Sequence, residues 1–377
     1  MRHFPILSSL VLALALFATT GLAAENKTQA IDSALAASTQ ARLNAGIQSP
    51  DISQYDARQE ALLEKERQSS QPGNHASVWR TANAGVANHS SLPYPEAGVL
   101  IQKEGQEWRL LRNGTITLAG GTLLALVIFL ISIFHVRIGP IKLESQATGK
   151  MLERFTLRER RVHTIMAGTF VVLAISGILL LYGKYLLLPV IGHTLFGWLM
   201  WLLKTLHNIL GPLFSLAIIA GFLLFVRDNL PRKEDLGWLM RFGGLFTGKH
   251  VASFRFNAGE KIWFWVGLVV LGSVLSVTGL ILDMLIPGLD YLRSTMQTAN
   301  IVHAIAATLF IAMALGHIYI GTIGSEGSYQ GMSEGYVDEA WAKQHHEYWY
   351  QEKISPRNDQ ASAGHSGAAS HTAVQGA

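Results

Sequence analysis

Apolar residues along this chain gather into five long runs, at about 115–135, 162–183, 203–226, 262–284 and 300–323, separated by polar and charged stretches. Each matches the roughly 20 residues that an α-helix needs to cross a bilayer core about 30 Å thick. The first, ITLAGGTLLALVIFLISIFHV, contains no Asp, Glu, Lys or Arg. In hydrocarbon an unpaired backbone group is costly, so such a run closes its hydrogen bonds within itself as a helix. The pattern predicts an all-α membrane protein. A four-helix transmembrane bundle covers 162–323, one extra transmembrane helix precedes it at 115–136, and a linker at 137–161 joins the two.

The ends of the chain read differently. Residues 1–24 open with Arg2 and His3, continue in an apolar stretch from Ile6 to Phe17, and close on the small residues of GLAA. This is the pattern of a secretory signal peptide, with cleavage after Ala23 or Ala24. It places residues 25–114 in the periplasm of a bacterium. That extension is polar, rich in Gln, Ala, Ser and Asn, and is expected to be partly disordered. Residues 324–377 form a tail expected to be disordered from about Asn358. His345, His346, His365 and His371 in this tail read as surface residues.

Charge orients the spans. Residues 136–161 hold Arg137, Lys142, Lys150, Arg154, Arg158, Arg160 and Arg161. Residues 227–261 hold Arg227, Arg232, Lys233, Arg241, Lys249, Arg255 and Lys261. The opposite connections carry only Lys184 and Lys204 in or beside one and Arg293 in the other. Basic loops stay in the cytoplasm, so the mature N-terminus is expected outside and the C-terminus inside an inner (plasma) membrane. Composition agrees: 49% of residues are apolar and 15% charged, a balance that points to a membrane protein. There is no cysteine, which excludes disulfides, thiolate metal sites and covalent Cys-x-x-Cys-His haem attachment.

Histidines within the spans carry the candidate chemistry, because an ionisable ring in a membrane helix is functional by default. His303 and His317 lie on one apolar helix, IVHAIAATLFIAMALGHIYIG. Fourteen residues bring them to nearly the same face, about 21 Å apart along the axis. That separation is too long for one metal and suits two cofactors at different depths. His207 sits at the outer depth with His303, and His163 at the inner depth with His317. Two pairs supply the axial ligands of two b-type haems. Hydrogen bonding between helices, or a proton path in a transporter or a non-haem membrane anchor, is the competing reading for such histidines.

From about Arg154 to Tyr350 the chain resembles the gamma subunit, a cytochrome b, of respiratory formate dehydrogenase, in its long form with signal peptide and periplasmic extension. The segments that carry the resemblance are ERRVHTI, LHNILGPLF, FVRDNLPRKEDLGWL, FNAGEKIWFW, NIVHAIAA, LGHIYIGTIGSEGSYQGMSEGYV and WAKQHHEYWY. It implies two haem b groups held through their iron by His163, His207, His303 and His317. It also implies a quinone, menaquinone or ubiquinone, beside Asn257, Ala258, Gly259 and His317. Asn257 and Glu260 three residues on also form the pattern of a capping box. Thr164 departs from the family, where Trp commonly follows the first histidine. The implied partners are an iron–sulfur beta subunit and a molybdenum or tungsten catalytic alpha subunit, with formate oxidised on the latter. No nucleic-acid partner is expected. A di-haem cytochrome of a hydrogenase or a thiosulfate reductase is the alternative within the same class.

Overall fold

The computed structural model of the protein describes residues 103–244 and 250–354, together with positions 62, 65, 66, 69, 70 and 96. The expected signal peptide, most of the periplasmic extension and the tail beyond Asn358 lie outside the described residues. The chain divides into two units, the first ending at Leu110 and the second running from Leu111 to Ala377. In the first unit the described structure is mainly one helix, α1 (Lys103–Leu111).

The second unit is helical. It contains α2 (Thr117–Arg137), α3 (Leu157–Leu186), α4 (Leu188–Phe225), α5 (Lys233–Met240), α6 (Ala258–Ile262), α7 (Gly272–Leu282) and α8 (Arg293–Tyr319). A wide-turned π-type stretch, Trp263–Leu271, fuses α6 to α7, and another, Ile320–Gly324, extends α8. Among the described residues five helical stretches are long and apolar enough to cross a membrane. The chain is an integral membrane protein with an all-α transmembrane bundle.

Local chemistry explains where these helices begin. At α3, Glu159 Oε2 accepts from Thr156 N (2.7 Å), and the Thr156 side chain accepts from Glu159 N (3.4 Å). At α6 the pattern repeats: Glu260 Oε2 accepts from Asn257 N (2.7 Å) and Asn257 Oδ1 accepts from Glu260 N (3.0 Å). Each box satisfies two otherwise orphaned backbone donors. α3 and α4 meet at Leu187, and Pro at the start of α4 suits a position whose N–H has no partner. Gly192 breaks the first turns of α4 at φ 72°, a conformation that glycine adopts without penalty.

Within the bundle α3 lies along α4, α7 contacts both α4 and α8, and α2 packs on α8. The core is aromatic: Phe214, Phe225, Phe264 and Phe310 are buried with Ile218, Leu268 and Ala314. Lipid is as apolar as these side chains, so close packing rather than hydrophobic transfer holds the helices together.

One end of the bundle is capped by protein. Strands β1 (Met151–Glu153) and β2 (Tyr336–Asp338) pair antiparallel, with Leu152 opposite Val337. They join α9 (Ser328–Ser333) and α10 (Glu339–His345) around Trp341, Ala342 and Trp349. Arg255 ties this end to the bundle through ion pairs with Glu159 (2.9 Å) and Asp228. Buried Lys261 pairs with Asp235 (2.8 Å).

Candidate functional site

The structure brings the four span histidines together in two pairs. At the capped end, His163 of α3 faces His317 of α8, with ring centroids 6.2 Å apart and planes at 62°. Toward the other end, His207 of α4 faces His303 of α8, again at 6.2 Å, with planes at 70°. These are the pairs that depth alone implies. The spacing has a chemical meaning. A metal between two imidazoles sits about 2.0–2.1 Å from each nitrogen. Adding about 1 Å from each nitrogen to its ring centre gives centroids about 6 Å apart, as observed for both pairs. Direct ring-to-ring hydrogen bonding would leave no room for a metal, and no such bond links either pair among the described residues.

The surroundings suit a flat, apolar cofactor. Protein covers His163, His207 and His303 only partly and leaves His317 exposed. A side-chain carbon at Gly168, Gly211, Gly316 or Gly321 would meet nothing within 4 Å, so these helix faces stand open. One at Gly177 would lie 3.5 Å from the His207 ring, and one at Gly279 would lie 3.4 Å from the His303 ring. Gly211 and Gly321 each follow a paired histidine by four residues and share its face. Two nitrogens per level, an open slot and no thiolate form the donor set of a non-covalent b-type haem.

The two levels differ in their neighbours. His207 Nδ1 lies 2.7 Å from Ser176 Oγ, and His303 Nδ1 lies 2.9 Å from Thr278 Oγ1. His317 instead stacks on Trp263, with centroids 4.9 Å apart and planes at 12°. Gly267 permits this, since a Cβ there would meet the Trp263 ring at 2.5 Å. Phe310, midway between His303 and His317, contacts Phe170 (5.1 Å), Trp263 (5.3 Å) and Phe214 (6.0 Å). An aromatic wedge thereby separates the two levels.

Residues 154–335, which include all four histidines, match the family model of prokaryotic cytochrome b561. The cytochrome b556(Fdn) subunit of the nitrate-inducible formate dehydrogenase of Escherichia coli (strain K12) is 31% identical over 215 residues, 54% of this chain and 92% of that protein. The chain belongs to the formate dehydrogenase cytochrome b family. The cytochrome b556(fdo) subunit of the same organism is 30% identical over 206 residues, 53% of this chain and 92% of that protein. The formate dehydrogenase cytochrome b556 subunit of Haemophilus influenzae is 30% identical over 168 residues, 42% of this chain and 70% of that protein. Family membership makes haem b the cofactor type and membrane electron transfer the work, within an enzyme complex that has other subunits.

Other residues singled out in the sequence occupy varied places. Asn257 caps α6, with its Oδ1 engaged by Glu260 N. Ala258 is buried, and Gly259 lies under Trp238, whose ring a Cβ would meet at 3.0 Å. Trp263, six residues along the same helical stretch, connects this cap to His317. His193 is exposed on α4 just past the Gly192 break, where the helix resumes.

The surface reading of His346 is corrected. His346 is 2% exposed, its Nδ1 donates to Phe254 O (2.7 Å), and its Nε2 accepts from Arg154 Nη2 (3.1 Å). Arg154 was read mainly as an orienting charge. It is fully buried among Phe155, Phe256, Trp341 and Trp349, each ring centroid between 5.1 and 5.4 Å from its guanidinium carbon. Burial, partly offset by Glu260, pulls its pKa down to about 10. It therefore remains charged at neutral pH.

Proposed function

We propose that this chain is the membrane-anchor cytochrome b subunit of a formate dehydrogenase complex, holding two haem b groups and carrying electrons from a periplasmic iron–sulfur subunit to quinone near the cytoplasmic face. The observation that carries this is the pair of 6.2 Å histidine couples at two levels of one bundle. His207 and His303 would hold the outer haem, and His163 and His317 the inner one. Bound haem supplies reversible one-electron chemistry at each level.

The chain's own residues do the rest. α8 fixes the two levels about 21 Å apart through its helical rise. Phe170, Phe214, Phe310 and Trp263 fill the space between them with apolar rings. Trp263 stacks on His317, and for a quinone bound beside them the amide Nδ2 of Asn257 is the proposed donor to its carbonyl. The basic segments 136–161 and 227–261 support a cytoplasmic location for this end. The molybdenum or tungsten alpha subunit oxidises formate outside, and quinone takes its protons from inside, so turnover builds protonmotive force.

Pyridine haemochrome analysis of the purified complex is expected to give two haems per chain. His207→Ala and His303→Ala are expected to remove one spectral component, and His163→Ala and His317→Ala the other. A yield near one or zero, or depletion of a common component by His163→Ala and His303→Ala, overturns the assignment.

A further inference from the structure

The outer histidines each touch a hydroxyl on a neighbouring helix. Ser176 of α3 is fully buried and lies 2.7 Å from His207 Nδ1; Thr278 of α7 is buried and lies 2.9 Å from His303 Nδ1. Both hydroxyls also reach a carbonyl of their own preceding turn, Ser176 with Leu173 O (3.1 Å) and Thr278 with Val274 O (2.6 Å). A hydroxyl has one proton to give. Donated to the carbonyl, it leaves the oxygen to accept from the ring Nδ1–H. The proton order is then ring to hydroxyl to carbonyl in both sites, with the Leu275 carbonyl a second acceptor for the His303 ring N–H, and it fixes both rings in the tautomer whose Nε2 carries the free lone pair. Among the described residues neither His163 nor His317 has such a partner; His317 has the face of Trp263 instead.

We propose that Ser176 and Thr278 are positioning residues that orient His207 and His303 and lower the potential of the outer haem. The inference rests on the bis-histidine reading above. An Nδ1–H that donates to oxygen makes the opposite nitrogen a stronger donor to a metal. A stronger donor favours the oxidised iron, so the outer level is held lower than its two rings alone would set it. The inner level lacks this bias, and the descent from outer to inner haem becomes steeper in the direction the proposed function requires. Thr278 also lines a cleft of about 390 Å³ with Ser294, Thr295 and Thr298.

The test uses the intact complex, with redox titration and low-temperature EPR of the low-spin haems. Ser176→Ala and Thr278→Val are each expected to raise the midpoint potential of the component that His207→Ala removes, and to leave the other unchanged. The EPR signal of that component shifts with it. Thr278→Ser restores the oxygen and is expected to return both readouts to wild type. Unchanged potentials and spectra in Ser176→Ala and Thr278→Val overturn the inference and leave the bis-histidine reading standing. A shift confined to the His163–His317 component also overturns it. Fewer than two haems in the wild-type complex overturns the underlying reading instead. Where Thr278→Val does not assemble, Ser176→Ala, which removes one oxygen atom, carries the test alone. Loss of haem from both variants ends the tuning role, which requires the iron to stay bound.

Discussion

At the residue scale, Asn257 has one side-chain atom fixed in a helix cap and another available for the quinone role proposed above. Its Oδ1 is committed to Glu260 N at 3.0 Å, so the Nδ2 amide is the group that remains to donate. Asn257→Asp keeps the capping oxygen and removes the donor. Both haems are expected to stay bound and reducible by formate, while formate-to-quinone turnover falls. Losing one hydrogen bond costs roughly 1 kcal/mol, about a five-fold effect. Wild-type turnover and quinone affinity in Asn257→Asp would leave the residue as a helix cap alone. The cap was legible in the sequence because its partners lie three residues apart. The histidine pairs were legible for a similar reason: fourteen residues on one helix fix their phase, and loop charge fixes which depths match. Ser176 and Thr278 were not. They reach His207 and His303 across helices, from 31 and 25 residues away. A serine or threonine in a membrane helix ordinarily satisfies itself on its own preceding carbonyl.

At the element scale, the leading helix α2 is joined to the bundle at a point where no side chain fits. A Cβ on Gly120 would lie 2.9 Å from Tyr182 Oη and 3.2 Å from Thr308 Oγ1. Tyr182 Oη also donates to Thr117 O (3.1 Å), so the phenol clamps α2 from α3. Gly120→Ala is expected to destabilise the subunit by about 1–3 kcal/mol through overpacking. In a Tyr182→Phe background, with that oxygen gone, the same substitution is expected to cost less. A double-mutant cycle on thermal unfolding reads the coupling; strictly additive effects would show that the two residues do not meet. The existence of α2 followed from its unbroken apolar run, but helix lengths did not follow so well. α4 starts at Leu188 rather than near 203, because the helix resumes after one glycine with positive φ. α8 starts at Arg293 rather than near 300, because its first turns, RSTMQTAN, are polar and fall outside the apolar run.

At the scale of the whole molecule, the cap ties the chain after the last span to the linker before α3. Arg154 and His346 are 192 residues apart and meet in one buried hydrogen bond. No local pattern announces this, since WAKQHHEYWY reads as a polar tail until Arg154 is placed against it. The pair makes the cap sensitive to acid. Burial first, and then the Arg154 charge, push the His346 pKa well below its ordinary 6.5. His345 is pulled down to about 4 by burial, then by His250 and Arg154. Both are neutral in the folded cap, and both take up protons near pH 6.5 once the cap opens. Stability is therefore full above pH 6.5. It declines as pH falls from there toward 4, by up to about 1.4 kcal/mol per pH unit for each histidine. Trp341 and Trp349 lie in the cap core, so their fluorescence in the detergent-solubilised complex reports the opening. Emission is expected to shift to longer wavelength between pH 6.5 and 4. In His346→Gln, whose amide can donate to Phe254 O and accept from Arg154, the shift is expected to be smaller. Emission that stays flat across this range in the wild-type protein would show that His346 is not held neutral. Arg154 would then need another anchor for the capped end of the bundle.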